Sequence, residues 1–164
     1  MIIKNIKDFG VIDRAISWAR KKSPWVYHMP CGGCNGCDIE VAACITPRYD
    51  IERFGMKLMN NPRHSDILLV TGTVPAQLKE SLKRVVSQVP EPKVIVAVGT
   101  CACSGGIFAN DGYSIRAPIV NLVDTDIKVP GCPPKPEAII IGAIKAIEIL
   151  GYKNRQNFHR KNEI

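Results

Sequence analysis

Apolar positions along this 164-residue chain follow two alternating patterns. Short, nearly continuous apolar runs of strand length give way to stretches where apolar residues recur every three or four positions. Trp25-Val-Tyr-His-Met29 is β-branched and aromatic and reads as a first strand. Asp66-Ile-Leu-Leu-Val70, Lys93-Val-Ile-Val-Ala-Val98 and Asp126-Ile-Lys-Val129 read as three more. Helical spacing predicts an amphipathic helix over residues 10–22, on Val11, Ile12, Ala15, Ile16 and Ala19, stopped by Ser23-Pro24. A second helix follows Cys37 and ends at Thr46-Pro47, with Asp38 and Glu40 in its first turn, where negative charge suits the helix dipole. A third starts at Pro75 and runs to about Val89. The last opens at Pro133 to Pro136, presents Ile139, Ile140, Ala143, Ile147 and Leu150 on one face, and finds a natural C-cap in Gly151. Tyr49 to Met59 fits either a short strand or a helical turn, and residues 103–124 read as a long irregular excursion.

Strands apolar throughout and alternating with helices predict a parallel sheet covered on both faces, a doubly wound α/β fold. Ligands of such sheets bind beyond the carboxyl ends of the strands. The expected organisation is an N-terminal amphipathic helix over 1–22, one α/β domain over 23–150 and a polar C-terminal tail over 151–164.

Composition narrows the function. Hydrophobic content of 46% is enough for one real core. The net charge of +7 is spread along the chain, with local clusters at Arg20-Lys21-Lys22 and from Arg155 to Lys161. These read first as a solvated surface, and next as a face toward an acidic partner or lipid headgroups. No element interleaves basic and aromatic residues, and aromatics make up 6%, which argues against nucleic acid. Met1 to Gly10 carries Lys4, Lys7 and Asp8 and does not read as a secretory leader. The longest apolar run, Ala138 to Ile144, is far short of the roughly 20 residues that span a bilayer. A cytoplasmic setting follows, in which seven cysteines point to metal or redox chemistry rather than to disulfides.

Three cysteine sites each follow a predicted strand: Cys31-Gly-Gly-Cys34-Asn-Gly-Cys37, Gly99-Thr-Cys101-Ala-Cys103 and Pro130-Gly-Cys132-Pro-Pro. The order of elements brings all three to one sheet edge, where they would converge on a single iron–sulfur cluster. Such a cluster takes four ligands, usually thiolates, and close backbone approach, which Gly36, Gly99 and Gly131 permit. Cys34 and Cys37 form a good two-ligand unit. A ferredoxin run would need a fourth cysteine shortly beyond Cys37, and Cys44 lies too far on, inside a predicted helix. A structural zinc site would need a second knuckle, for which Cys101-x-Cys103 is poor. A thioredoxin-like pair leaves Cys101 and Cys132 unexplained. Cys44 reads as a small buried hydrophobe, Cys103 can be read the same way, and Cys31 stays open between spare thiol and ligand. His28 reads as a core or interface residue, and Glu40 as a helix-start charge with a proton-relay role as the alternative. No phosphate-binding glycine loop is present.

Taken together, Cys34-Asn-Gly-Cys37-Asp-Ile-Glu, Gly99-Thr-Cys101-Ala and Pro130-Gly-Cys132-Pro-Pro resemble the small subunit of [NiFe] hydrogenases, in particular the membrane-bound, energy-converting group. That group is homologous to the cluster-bearing subunit of respiratory NADH:quinone oxidoreductase. The resemblance runs from about Ser23 to Leu150 and includes Thr46-Pro-Arg-Tyr-Asp50. It implies a flavodoxin-like domain with one [4Fe–4S] cluster at the C-terminal strand edge, held by Cys34, Cys37, Cys101 and Cys132, and leaves Cys31 and Cys103 as non-ligands. It also implies an electron-relay role without a catalytic centre in this chain. The implied partners are a hydrogenase-type large subunit, a ferredoxin-like polyferredoxin subunit and membrane ion-translocating subunits. The implied place is peripheral, on the cytoplasmic face of the cell membrane. A membrane sulfane-sulfur reductase or a formate-linked hydrogenase would use a similar chain. A zinc-stabilised interaction domain is the reading from another class.

Overall fold

The computed structural model describes residues 15, 16, 18–109 and 113–162. Five parallel strands form the main sheet: β1 (Trp25–Pro30), β2 (Lys57–Leu58), β3 (Ile67–Thr71), β5 (Val94–Val98) and β7 (Ile127–Val129). Their spatial order is β2-β1-β3-β5-β7. With the strands outside this sheet set aside, that is the 2-1-3-4-5 order of flavodoxin-like folds. The chain moves outward from β1 to β2 and then returns past β1 to β3. The loop after β1 therefore opens at the switch point.

Alternation along the strands separates two apolar layers. Ile67, Leu69, Val94, Val96 and Val98 face one side, with Val41 and Cys44 at α2 (Gly36–Ala43) and Ile139, Ala143, Ala146 and Leu150 of α5 (Pro136–Asn162). Leu68, Val70, Ile95 and Ala97 face the other, with Leu82 of α3 (Lys79–Gln88), Ala102 of α4 (Thr100–Ser104) and Ile119. All residues of β3 and β5 are buried, as a sheet sandwiched between helices requires. The doubly wound α/β architecture is as the apolar runs predict.

Several local expectations need correction. Residues 15, 16 and 18–22 form α1, while residues 10–14 of the expected first helix lie outside the described residues. Ile16 and Trp18 are exposed. Tyr49 to Met59 resolves into a 3-10 turn, Ile51–Phe54, and the two-residue edge strand β2. Pro75 opens the helical stretch as expected, capping a 3-10 turn, Ala76–Leu78, that runs into α3, and it has a second role. It closes β4 (Val74–Pro75), which pairs antiparallel with β6 (Ile115–Ala117) inside the stretch read as irregular. Gly151 does not cap the last helix, and the segment 151–164 is not a loose tail along its length, because α5 continues to Asn162. A Cβ at Gly151 would meet the flexible end of the Lys21 side chain, which can move aside. Two residues on, Lys153 Nζ reaches Asp126 Oδ1 at 2.7 Å and the Lys93 carbonyl at 2.9 Å, tying the extended helix to the sheet.

Candidate cofactor site

Each strand of the inner sheet ends at the same rim and hands the chain to a tight corner. After β1 come Cys31 to Cys37, after β3 come Gly72 and Thr73, after β5 Gly99 to Cys101, and after β7 Gly131 and Cys132. The corners are bonded to one another. Cys31 N–H donates to the Thr71 carbonyl at 2.8 Å, Gly99 N–H to the Val129 carbonyl at 2.8 Å, and Thr100 N–H to the Gly131 carbonyl at 2.8 Å. Thr100 Oγ1 in turn accepts from Gly131 N–H at 3.3 Å.

Cys37 and Cys101 are helix residues, where the sequence suggested loops. Cys37 sits in the first turn of α2, which opens after Asn35 in the left-handed region at φ 65°, and Cys101 in the first turn of α4. Glycine is required between them. Gly99 has φ +93°, and a Cβ on it would lie 2.5 Å from Cys37 Sγ.

The structure brings Cys34, Cys37, Cys101 and Cys132 together. Burial pushes the Cys37 thiol up to about 11, and the neighbouring charges of Cys101, Asp38, Cys34 and Cys132 add to the shift. Cys101 is raised as well, first by burial and then by Cys132 and Cys34. Cys34 and Cys132 are exposed, and Cys37 and Cys101 partly so, leaving the group open on one side. The donor set is four thiols. Among the described residues no three His, Cys, Asp or Glu side chains stand close enough to hold a single metal ion. Four thiolates are the donor set that a four-iron cluster takes, so the chemistry of these residues fits one.

The remaining cysteines lie elsewhere. Cys31 continues the alternation of β1 with Met29, onto the face opposite α2, and is fully buried there. Burial pushes its thiol up to about 11, with Asp38 adding to the shift. Cys44 is buried against α5, its thiol 3.3 Å from the Glu40 carbonyl and 3.6 Å from that of Pro136. The Cys103 thiol points at the Ala97 carbonyl at 3.5 Å.

One group beside the thiols is invisible in residue spacing. Asp38, the residue after Cys37, accepts from Thr71 Oγ1 at 2.5 Å on Oδ1, and the same oxygen lies 3.0 Å from His28 Nε2. His28 Nε2 is also 3.3 Å from Thr71 Oγ1. Burial holds His28 below its ordinary value, and the pull of Asp38 offsets this only in part. His28 is then a neutral imidazole donating Nε2–H to the carboxylate. Its place on β1 joins it to Asp38 of α2 and Thr71 of β3.

Residues 34–146, well over half of the chain, match the family described as NADH ubiquinone oxidoreductase, 20 Kd subunit. The chain belongs to that family. The matched span begins at Cys34 and contains Cys37, Cys101 and Cys132. Within the family the chain is similar to a probable membrane-bound hydrogenase subunit of Pyrococcus furiosus, 51% identical over 79% of this chain and 77% of the relative. An NADH-quinone oxidoreductase subunit of Geotalea uraniireducens is 38% identical over 90% of this chain and 83% of its own. Among solved structures, a chain of the membrane-bound sulfane sulfur reductase, an archaeal respiratory membrane complex, superposes with a TM-score of 0.71. It is 33% identical, and the match covers 91% of this chain and 87% of that one.

Proposed function

We propose that this chain is the electron-relay subunit of a membrane-bound [NiFe] hydrogenase complex, and that Cys34, Cys37, Cys101 and Cys132 hold one [4Fe–4S] cluster. The observation that carries the reading is the placement of four thiols just past three strand ends that share one rim of the parallel sheet, with Gly99 making room beside the Cys37 sulfur. The 51% identity to a membrane-bound hydrogenase subunit supports the choice of complex. When bound, the cluster supplies a one-electron carrier whose potential depends on net charge, hydrogen bonds to sulfur and exposure. The chain's own residues hold, shield and orient it. The exposed side, at Cys34 and Cys132, faces the large subunit, which carries the [NiFe] centre. Electrons enter from a ferredoxin-like polyferredoxin subunit, and membrane subunits couple the reaction to ion translocation. Among the described residues no helix is long and apolar enough to cross a membrane. The chain would sit peripherally on the cytoplasmic face, held by its partners.

The test is anaerobic purification of the whole complex, with iron and sulfide assay and EPR of the reduced state. A cubane signal lost on Cys132→Ser is expected. Stoichiometric zinc without iron overturns the reading. A second reading has specific support in the superposition on the sulfane sulfur reductase chain. The partner large subunit decides between the two: two CxxC pairs favour the hydrogenase, and a missing pair favours sulfur reduction.

A further inference from the structure

We propose that Asp38, anchored by His28 and Thr71, is a positioning and charge-tuning residue for the cysteine site, acting through Cys37. The inference rests on the reading of Cys37 as a cluster ligand. Three elements build this group. His28 lies on β1, Thr71 on β3, and the two occupy the same face of adjacent parallel strands. Asp38 comes down onto them from the first turn of α2. Its Oδ1 takes the Thr71 hydroxyl at 2.5 Å and faces His28 Nε2 at 3.0 Å, while His28 and Asp38 keep only about one fifth of their side-chain surface, 19% and 20%.

Helix electrostatics explain an acid in the first turn. They do not explain why two strands each aim a donor at one carboxylate oxygen. A carboxylate that only stabilised a helix end would do so from solvent. Here it is drawn inward onto the sheet, which pins the first turn of α2 and with it the Cys37 sulfur. A fixed negative charge next to a centre that gains an electron disfavours the gain. Asp38 directly follows Cys37 in the first turn of α2, so its carboxylate is fixed beside that thiol. The donors set how much of its field is felt: each compensates part of the charge, and removing one leaves more of it.

The experiment uses the anaerobically purified complex, with iron and sulfide content measured beside an EPR-monitored redox titration. Asp38→Asn should keep its iron and shift the reduced-to-oxidised ratio at fixed potential about tenfold toward reduced, or about 59 mV for a one-electron couple. Asp38→Glu should restore most of the original potential. Thr71→Val, with the carboxylate intact, should shift the ratio more weakly toward oxidised, and Thr71→Ser should reverse that. Full iron content with unchanged potential and line shape in Asp38→Asn overturns the inference. If Asp38→Asn loses its iron, Thr71→Val decides: a shift supports the role, and no shift overturns it. Absence of iron and sulfide from the unsubstituted complex would instead overturn the cluster reading itself.

Discussion

Along β3 and β5 every residue is buried and apolar save the terminal Thr71. One residue past each strand the chain reaches Gly72, at φ +82°, and Gly99, at φ +93°. A Cβ on Gly72 would lie 2.7 Å from the Gly33 backbone nitrogen, and one on Gly99 2.5 Å from Cys37 Sγ. The sheet interior is built from side-chain volume and the rim from its absence. The same contrast divides the cysteines. Cys31 and Cys44 are core residues that add sulfur to packing, whereas Cys34 and Cys132 stand open at the rim with Cys37 and Cys101 behind them. A rigid floor lets strained, glycine-cornered loops hold their positions, because neighbouring strands fix where each loop starts.

The contrast breaks most sharply at the rim cysteines. Cys101→Ser should abolish cluster binding in the purified complex, read as loss of iron and sulfide, while Cys31→Ala and Cys44→Ala should retain it. A cluster surviving Cys101→Ser would erase the division between the two sets. The floor should respond in the opposite way. Leu82→Ala, at a fully buried side chain, should lower stability by about 2–5 kcal/mol in thermal or denaturant unfolding and leave the EPR line shape alone. Gly99→Ala tests the join between them. The clash with Cys37 Sγ and the left-handed backbone should cost about 1–3 kcal/mol and lower iron content. Gly36→Ala, whose Cβ would sit at an ordinary 3.5 Å from Cys34 Sγ, should keep full iron. Equal loss in both would mean that the corner is not what limits the site.

The smallest effect concerns pH. His28 binds its proton less readily in the folded protein than at its ordinary value of 6.5, because it is buried. Above that value both folded and unfolded forms are neutral there, and stability is complete. As pH falls below 6.5 the unfolded chain takes the proton first, so stability declines until the lower folded-state value is passed. The thermal midpoint of the complex should fall across that window, and His28→Gln should flatten the slope. An unchanged slope would remove burial of this imidazole as the cause.

Much of this molecule is legible in local pattern. The strands around Val26, Leu69, Val96 and Val129 stand out because their apolar runs are short, continuous and bounded by turn residues. Their parallel arrangement follows from the helices between them. That three cysteine motifs each follow a strand is legible in the same way, and the resemblance to hydrogenase small subunits singles out Cys34, Cys37, Cys101 and Cys132 among them. What escaped was non-local. Val74–Pro75 pairs with Ile115–Ala117 across about forty residues, and the proline that caps the following helical stretch gives no local sign of that pairing. The last helix passes Gly151, and two residues on Lys153 pairs with Asp126 just before β7, a contact that no C-cap rule registers. His28, Asp38 and Thr71 each have an ordinary local explanation, and only the β1–β3 register puts them on one oxygen.

By itself the sequence determined the order and kind of most elements, and that cysteines follow three of the strands, because hydrophobic period and turn chemistry act over a few residues. The tertiary structure decided which cysteines meet. Spatial strand order and register depend on hydrogen bonds between segments dozens of residues apart. They send Cys31 into the core through the alternation of β1 and bring Cys101 and Cys132 beside Cys34 and Cys37.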